Sequence, residues 1–196
     1  MTPILILAAG RSSRMGGRDK LLEDVGGVPL LRKQVQTALA TGQPVFVALP
    51  PAAHDRQAAI ADLDVTALRV PEAAEGMSGT MRGAVAQLPI TPAFMLTLAD
   101  LVALDSADLK AVLAARTAHP QYVVWRGATV DGKPGHPIVF DASLRANFAD
   151  LKGDGGGDSL VKPLWDQTYL VPLPGNRARL DLDTPADWTA WRNARP

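Results

Sequence analysis

The sequence predicts an α/β fold, a three-layer α/β/α sandwich around a mostly parallel central sheet. Three observations carry this. Apolar runs at 4–7, 45–49 and 93–99, the last interrupted only by Thr97, lack the alternation of half-exposed strands and suit strands buried on both faces. Stretches with apolar residues at helical spacing lie between them, and strand–helix alternation builds parallel sheets with crossover helices. Several strands end in small, cationic or acidic residues, and open α/β sheets hold ligands at the carboxyl ends of their strands.

The elements follow in order. Ile4 to Leu7 is the first strand, ending in Ala8, Ala9 and Gly10, whose small side chains let a ligand approach the backbone. Val25 to Val28 turns into Pro29, a good first helical residue. Leu30, Leu31, Val35, Ala38 and Leu39 then mark a helix that Gly42 can end. Val45 to Leu49 is a strand stopped by Pro50-Pro51, residues 52–62 read as a helix, and 66–70 as a third strand. Pro71 to Gly79 is a loop, and 80–88 is helical. Residues 93–99, with 4–9, are expected at the centre of the sheet. The 93–99 strand ends in Asp100, and Asp105 and Ser106 cap a helix at 107–118. Strands are expected at 122–126, from Gly135 to Phe140 and at 169–173, with a short helix at 142–151. Lys152 to Asp158 carries three consecutive glycines and reads as a loop, either a plain surface loop or a lid over a substrate. Pro185 opens the last helix.

Composition narrows the function. The chain of 196 residues, 47% apolar, reads as one domain over 1–196 with a full core. Twenty basic and twenty acidic residues cancel, which argues against broad nucleic-acid binding. Without cysteine there is no disulfide, thiolate nucleophile or Cys-type zinc site. There is no signal-peptide pattern, and no apolar stretch approaches the ~20 residues of a membrane span, so a soluble cytoplasmic protein is expected.

The chemistry concentrates in residues 4–20. After Gly10 come Arg11, Arg14, Arg18 and Lys20 against the single acid Asp19. Loop amides and these cations together could neutralise a triphosphate, although a basic turn is also often merely solvated. The loop is not a P-loop, since Met15 interrupts the spacing and Lys20 comes too late. Nor is it a dinucleotide fingerprint, because Ser12 stands where the second glycine would be.

Leu7-Ala8-Ala9-Gly10-x-Ser12-x-Arg14-Met15-Gly16 with Asp19-Lys20-Leu21-Leu22 resembles the signature of the MobA-like nucleotidyltransferases, and is most similar to the molybdenum cofactor cytidylyltransferase branch. The resemblance runs on through Glu75 to Arg82, Ala99-Asp100, Gly135-His136-Pro137 and Leu180 to Trp188. It implies a Rossmann-like fold of the nucleotide-diphospho-sugar transferase type. It also implies transfer of a nucleoside monophosphate, CMP from CTP, to a phosphorylated acceptor of the molybdopterin type, with Mg2+ assisting and pyrophosphate released. A molybdoenzyme receiving the product is the implied partner, with no nucleic acid and no membrane.

Residue by residue, Leu7, Ala8, Ala9, Gly10, Arg11 and Ser12 would wrap the triphosphate, with Lys20 on its phosphates and Arg14 helping. Ser78, Gly79 and Thr80 would reach the base and ribose, while Ser78 or Thr80 also suits a helix N-cap. Asp100 would hold the metal with Asp183, or with Asp181 as second choice, since two residues apart on an extended chain project to the same side. Asp183 or Thr184 before Pro185 alternatively caps the last helix. His136 would contact the acceptor phosphate, although a lone His beside Pro is often structural. The usual proline two places after Asp100 is replaced by Val102, which leaves the shape of that turn open. Two further readings stand beside this one: a guanylyl- or other nucleotidyltransferase acting on a sugar or alcohol phosphate, and a nucleotide-binding regulator without catalysis.

Overall fold

The computed structural model describes residues 1–153 and 157–194. One seven-stranded sheet runs through it in the order β3-β2-β1-β4-β6-β5-β7. Its strands are β1 (Ile4–Leu7), β2 (Val45–Leu49), β3 (Thr66–Arg69), β4 (Ala93–Leu98), β5 (Val124–Ala128), β6 (Pro134–Asp141) and β7 (Thr168–Pro172). The helices are α1 (Leu30–Leu39), α2 (His54–Ala58), α3 (Met77–Gln87), α4 (Ser106–Ala118), α5 (Asp158–Val161) and α6 (Pro185–Asn193).

The expected fold is the observed one, with β1 and β4 adjacent at the centre of the sheet. Every residue of β1 is buried because its alternate side chains enter different layers. Ile4 and Ile6 pack with α1, α4 and α6 through Leu31, Val35, Val112 and Trp188. Leu5 and Leu7 pack with α3 and α5 through Met81, Ala84 and Leu160. All pairings are parallel except those of β6, which runs against β4 and β5. The turn between β5 and β6 is too short for a crossover, so the two strands must be antiparallel.

Several boundaries differ from the sequence expectation. The 52–62 helix shrinks to α2, beyond which the Ile60 and Ala61 N–H groups bond the carbonyls three residues back, Gln57 and Ala58, rather than four. Pro29 caps α1 rather than opening it. The β5 strand starts at Val124 rather than 122. Ala142–Asp150 winds as 3-10 turns instead of a regular helix. The glycine-rich 152–158 loop, with its possible lid, centres on residues 154–156, which lie outside the described residues.

The carboxyl ends of β1 and β4 register side by side through Leu7 and Leu98. The loop after β1 and the Asp100 turn after β4 therefore open onto one crevice.

Candidate nucleotidyl-transfer site

The loop after β1 is shaped by its own polar side chains. Ser12 sits in the left-handed region (φ 50°, ψ 32°), the one non-glycine residue with positive φ among those described. Its hydroxyl donates to Asp19 Oδ1 (3.1 Å) and accepts the Lys20 N–H (3.2 Å). Asp19 also accepts the Leu21 N–H at 3.0 Å, capping the short turn Lys20–Leu22. Together these bonds fix the backbone from which Lys20 projects.

Lys20 Nζ bridges two carboxylates, Asp100 Oδ2 at 2.5 Å and Asp183 Oδ1 at 2.7 Å. The two bonded oxygens can therefore be no further apart than the sum of those distances. Arg14 closes the cluster at 2.6 Å from the other oxygen of Asp183. Burial works against the Lys20 ammonium, but the charges and hydrogen bonds of Asp100 and Asp183 outweigh it and hold its pKa above the ordinary value. Asp183 arrives here because a β-bridge between Leu101 and Asp181 ties the late segment to the turn after β4. That turn needs no proline, since Leu101 and Val102 are both buried. Asp181 stays outside the Lys20 contact, and its pKa is raised by burial and by the charges of Asp183 and Asp100.

These groups line a cleft of about 610 Å³ floored by Leu7, Ala9 and Gly10, walled by Arg11, Ser12, Arg14 and Lys20, and closed by Asp100, Asp181 and Asp183. Gly76, Met77 and Thr80 at the start of α3 face them. Two carboxylates suit a hard divalent cation. Asp100 Oδ1 is enclosed without a hydrogen-bond partner, an acceptor available to an ion. No group of three or more potential metal ligands gathers among the described residues, so phosphate and water oxygens would have to complete such a shell.

The sequence model of the MobA-like NTP transferase domain matches residues 4–168. The chain belongs to that family. Its fold superimposes on the crystal structure of Rv0371c from Mycobacterium tuberculosis H37Rv with a TM-score of 0.83 at 25% identity, covering 99% of each chain. A manganese complex of Rv0371c is similar at 0.82 and 24%, again over 99% of each chain. A CMP:2-keto-3-deoxy-manno-octonic acid synthetase complexed with CTP gives 0.78 at 14%, covering 98% of each chain. No protein of curated function matches significantly in sequence.

The structure gathers Leu7, Ala9, Gly10, Arg11, Ser12, Arg14, Lys20, Thr80 and Asp100, together with Asp181 and Asp183 from beyond the matched range, around one cleft. Other expected residues lie elsewhere. Ala8 is buried, and its carbonyl accepts from Arg56. Arg18 is paired with Glu23 at 3.0 Å and leaves the cationic cluster. Neither Ser78 nor Thr80 caps α3, which starts at Gly76 without a side-chain cap. The Ser78 hydroxyl bonds the Lys152 carbonyl instead (3.3 Å). A Cβ on Gly79 would fall 2.0 Å from the Glu72 carbonyl, so packing alone accounts for that glycine. Thr184, in a capping box with Asp187, caps α6 and leaves the Asp183 side chain to the cleft.

His136 does not line the cleft. Burial first, and then the Arg126 charge, push its pKa down to about 4, so at neutral pH the ring offers no cation to a phosphate. Its Nδ1 is enclosed and unpartnered.

Arg56 was not foreseen. It lies on the short α2 in a stretch with no motif, and nothing in its sequence neighbourhood signals that it is buried against the loop after β1.

Proposed function

We propose that this MobA-like protein is a cytoplasmic nucleotidyltransferase acting as one domain. It moves CMP from CTP to a phosphorylated acceptor of the molybdopterin type and releases pyrophosphate. The observation that carries the reading is the meeting of Lys20, Asp100 and Asp183 at the mouth of a cleft floored by the loop after β1. An acceptor phosphate is already anionic at neutral pH, so the site needs charge neutralisation and alignment rather than a strong base. An acceptor oxygen bonds the α-phosphorus while the bond from that phosphorus to the α–β bridging oxygen breaks, and pyrophosphate leaves with the electron pair. Lys20 and Arg14 stabilise the departing charge. Leu7, Ala9, Gly10, Arg11 and Ser12 hold the triphosphate, and Thr80 and Met77 close over the nucleoside. Asp100 and Asp183 would hold Mg2+, which when bound polarises the α-phosphate.

The acceptor assignment rests on the resemblance of Gly135-His136-Pro137 to the cytidylyltransferase branch. The CTP complex of the synthetase with this fold supports a pyrimidine nucleotide, and also supports a second reading in which a sugar acid or sugar phosphate takes the pterin's place. The cluster of Lys20, Asp100 and Asp183 argues against a regulator without catalysis. Pyrophosphate release, measured with each nucleoside triphosphate with and without molybdopterin or sugar-type acceptors, tests the reading. Release from CTP only with a pterin acceptor is expected. Release with sugar acceptors alone favours the second reading, and none with any pair refutes catalysis.

A further inference from the structure

Arg56 projects from α2 onto the loop after β1 and is almost fully buried, its side chain 7% exposed. Its guanidinium grips Asp19 with two bonds, Nε to Oδ2 (2.6 Å) and Nη2 to Oδ1 (2.9 Å). The remaining donors reach two backbone carbonyls, Nη1 to Ala8 (2.6 Å) and Nη2 to Gly10 (2.8 Å). Four short bonds from one planar fork fix three points of the loop.

In a trans peptide unit the carbonyl and the next residue's N–H point opposite ways. Arg56 takes the Ala8 and Gly10 carbonyls from one side, so the N–H groups of Ala9 and Arg11 are turned to the other. Among the described residues, the N–H groups of Ala9, Gly10 and Arg11 donate to no protein acceptor. Ala9, Gly10 and Arg11 lie between two clefts: they border the Lys20 cleft, which Arg56 does not reach, and also a second one that Arg56 lines. Consecutive free amides on a loop form a concave anion site. Asp19, held by Arg56, also caps the turn that carries Lys20.

We propose that Arg56 is a positioning residue for nucleotidyl transfer: it turns the loop amides toward the polyphosphate and, through Asp19, sets the Lys20 turn. The inference rests on the phosphate-loop reading above. Lysine has one compact ammonium and cannot span a carboxylate and two carbonyls at once, so Arg56→Lys is not conservative here.

The test is titration of the metal-free protein with inorganic tripolyphosphate, with amide NMR shifts of residues 9–11 and a thermal melt on each variant. The variants are Arg56→Lys, Arg56→Ala and the double variant Arg56→Met/Asp19→Asn, which removes both charges together and keeps the buried site neutral. The wild type is expected to bind, with the Ala9 and Arg11 amide protons moving downfield. Folded variants lose on the order of 100-fold in affinity and in kcat, as expected when reacting groups are displaced by about 1 Å. Added methylguanidinium restores part of the affinity of Arg56→Ala. Variants that melt earlier but bind tripolyphosphate as the wild type does, with unchanged amide shifts, overturn the positioning role alone. A wild type that binds neither tripolyphosphate nor a nucleoside triphosphate refutes the phosphate-loop reading and this inference with it.

Discussion

Lys20 Nζ occupies the point where two carboxylates converge, so a divalent cation binding there in the free protein must first displace it. Replacing Lys20 with Met keeps an unbranched side chain, one atom shorter, and removes the charge. A hydrogen bond to a charged group nets roughly 1.5–3 kcal/mol, and Lys20 makes two, at 2.5 and 2.7 Å. Part of that returns when the displaced ammonium is rehydrated, and the Lys20 side chain is 13% exposed, close to water. The substitution also leaves Asp100 and Asp183 facing each other, a repulsion that a cation relieves. A net gain of about 1.4–2.8 kcal/mol follows, so Mn2+ should bind nucleotide-free Lys20→Met on the order of 10–100-fold more tightly than wild type. Turnover should fall by roughly 100- to 1,000-fold, the loss expected when a preorganised group facing transition-state charge is removed. Electron paramagnetic resonance of free Mn2+ reads the first effect and pyrophosphate release the second. Mn2+ binding equal to or weaker than wild type would refute the shared-site reasoning, because Lys20 would then not compete for those carboxylates.

Four further outcomes follow from the geometry. Asp183→Ala leaves the α6 cap to Thr184 but removes the ion pairs with Lys20 and Arg14, so it should cost on the order of 1.5 kcal/mol of stability while activity collapses; full activity reverses the assignment. With Asp100→Ala added, the loss should be little greater than for the worse single variant, as for residues acting as a unit. The His136 ring should show no NMR titration until about pH 4. Because the unfolded chain takes up this proton near 6.5 and the folded one near 4, His136 removes stability as pH falls through that window, by about 3 kcal/mol at most; titration of the ring near 6.5 would contradict its burial. Gly79→Ala should cost at least ~2 kcal/mol in chemical denaturation, because the Glu72 carbonyl 2.0 Å from the new Cβ is backbone and cannot rotate aside; a neutral effect would mean α3 can shift away from it.

The sequence by itself determined the layers and the centre of the sheet. Runs such as 4–7 and 93–98, apolar but for Thr97, are satisfied by burial on both faces, and that condition is local to each strand. It also determined the chemical inventory, because Lys20 and Asp100 stand in motifs that follow such runs and Asp183 stands in the Leu180 to Trp188 motif. Tertiary structure decided which of those groups meet. The Leu101–Asp181 bridge, not any local pattern, carries Asp183 to Lys20. Glu23 draws Arg18 out of the cationic group, and the Glu72 carbonyl explains Gly79 by contact alone. His136 loses its charge to burial and to Arg126, which a sequence window around Pro137 does not contain. Arg56 stayed illegible for the same reason: a guanidinium has no periodicity, and its role depends on partners 37 to 48 positions away. Burial of a run is encoded by its own residues, whereas hydrogen bonds and charges between distant segments exist only once the sheet has set their distances.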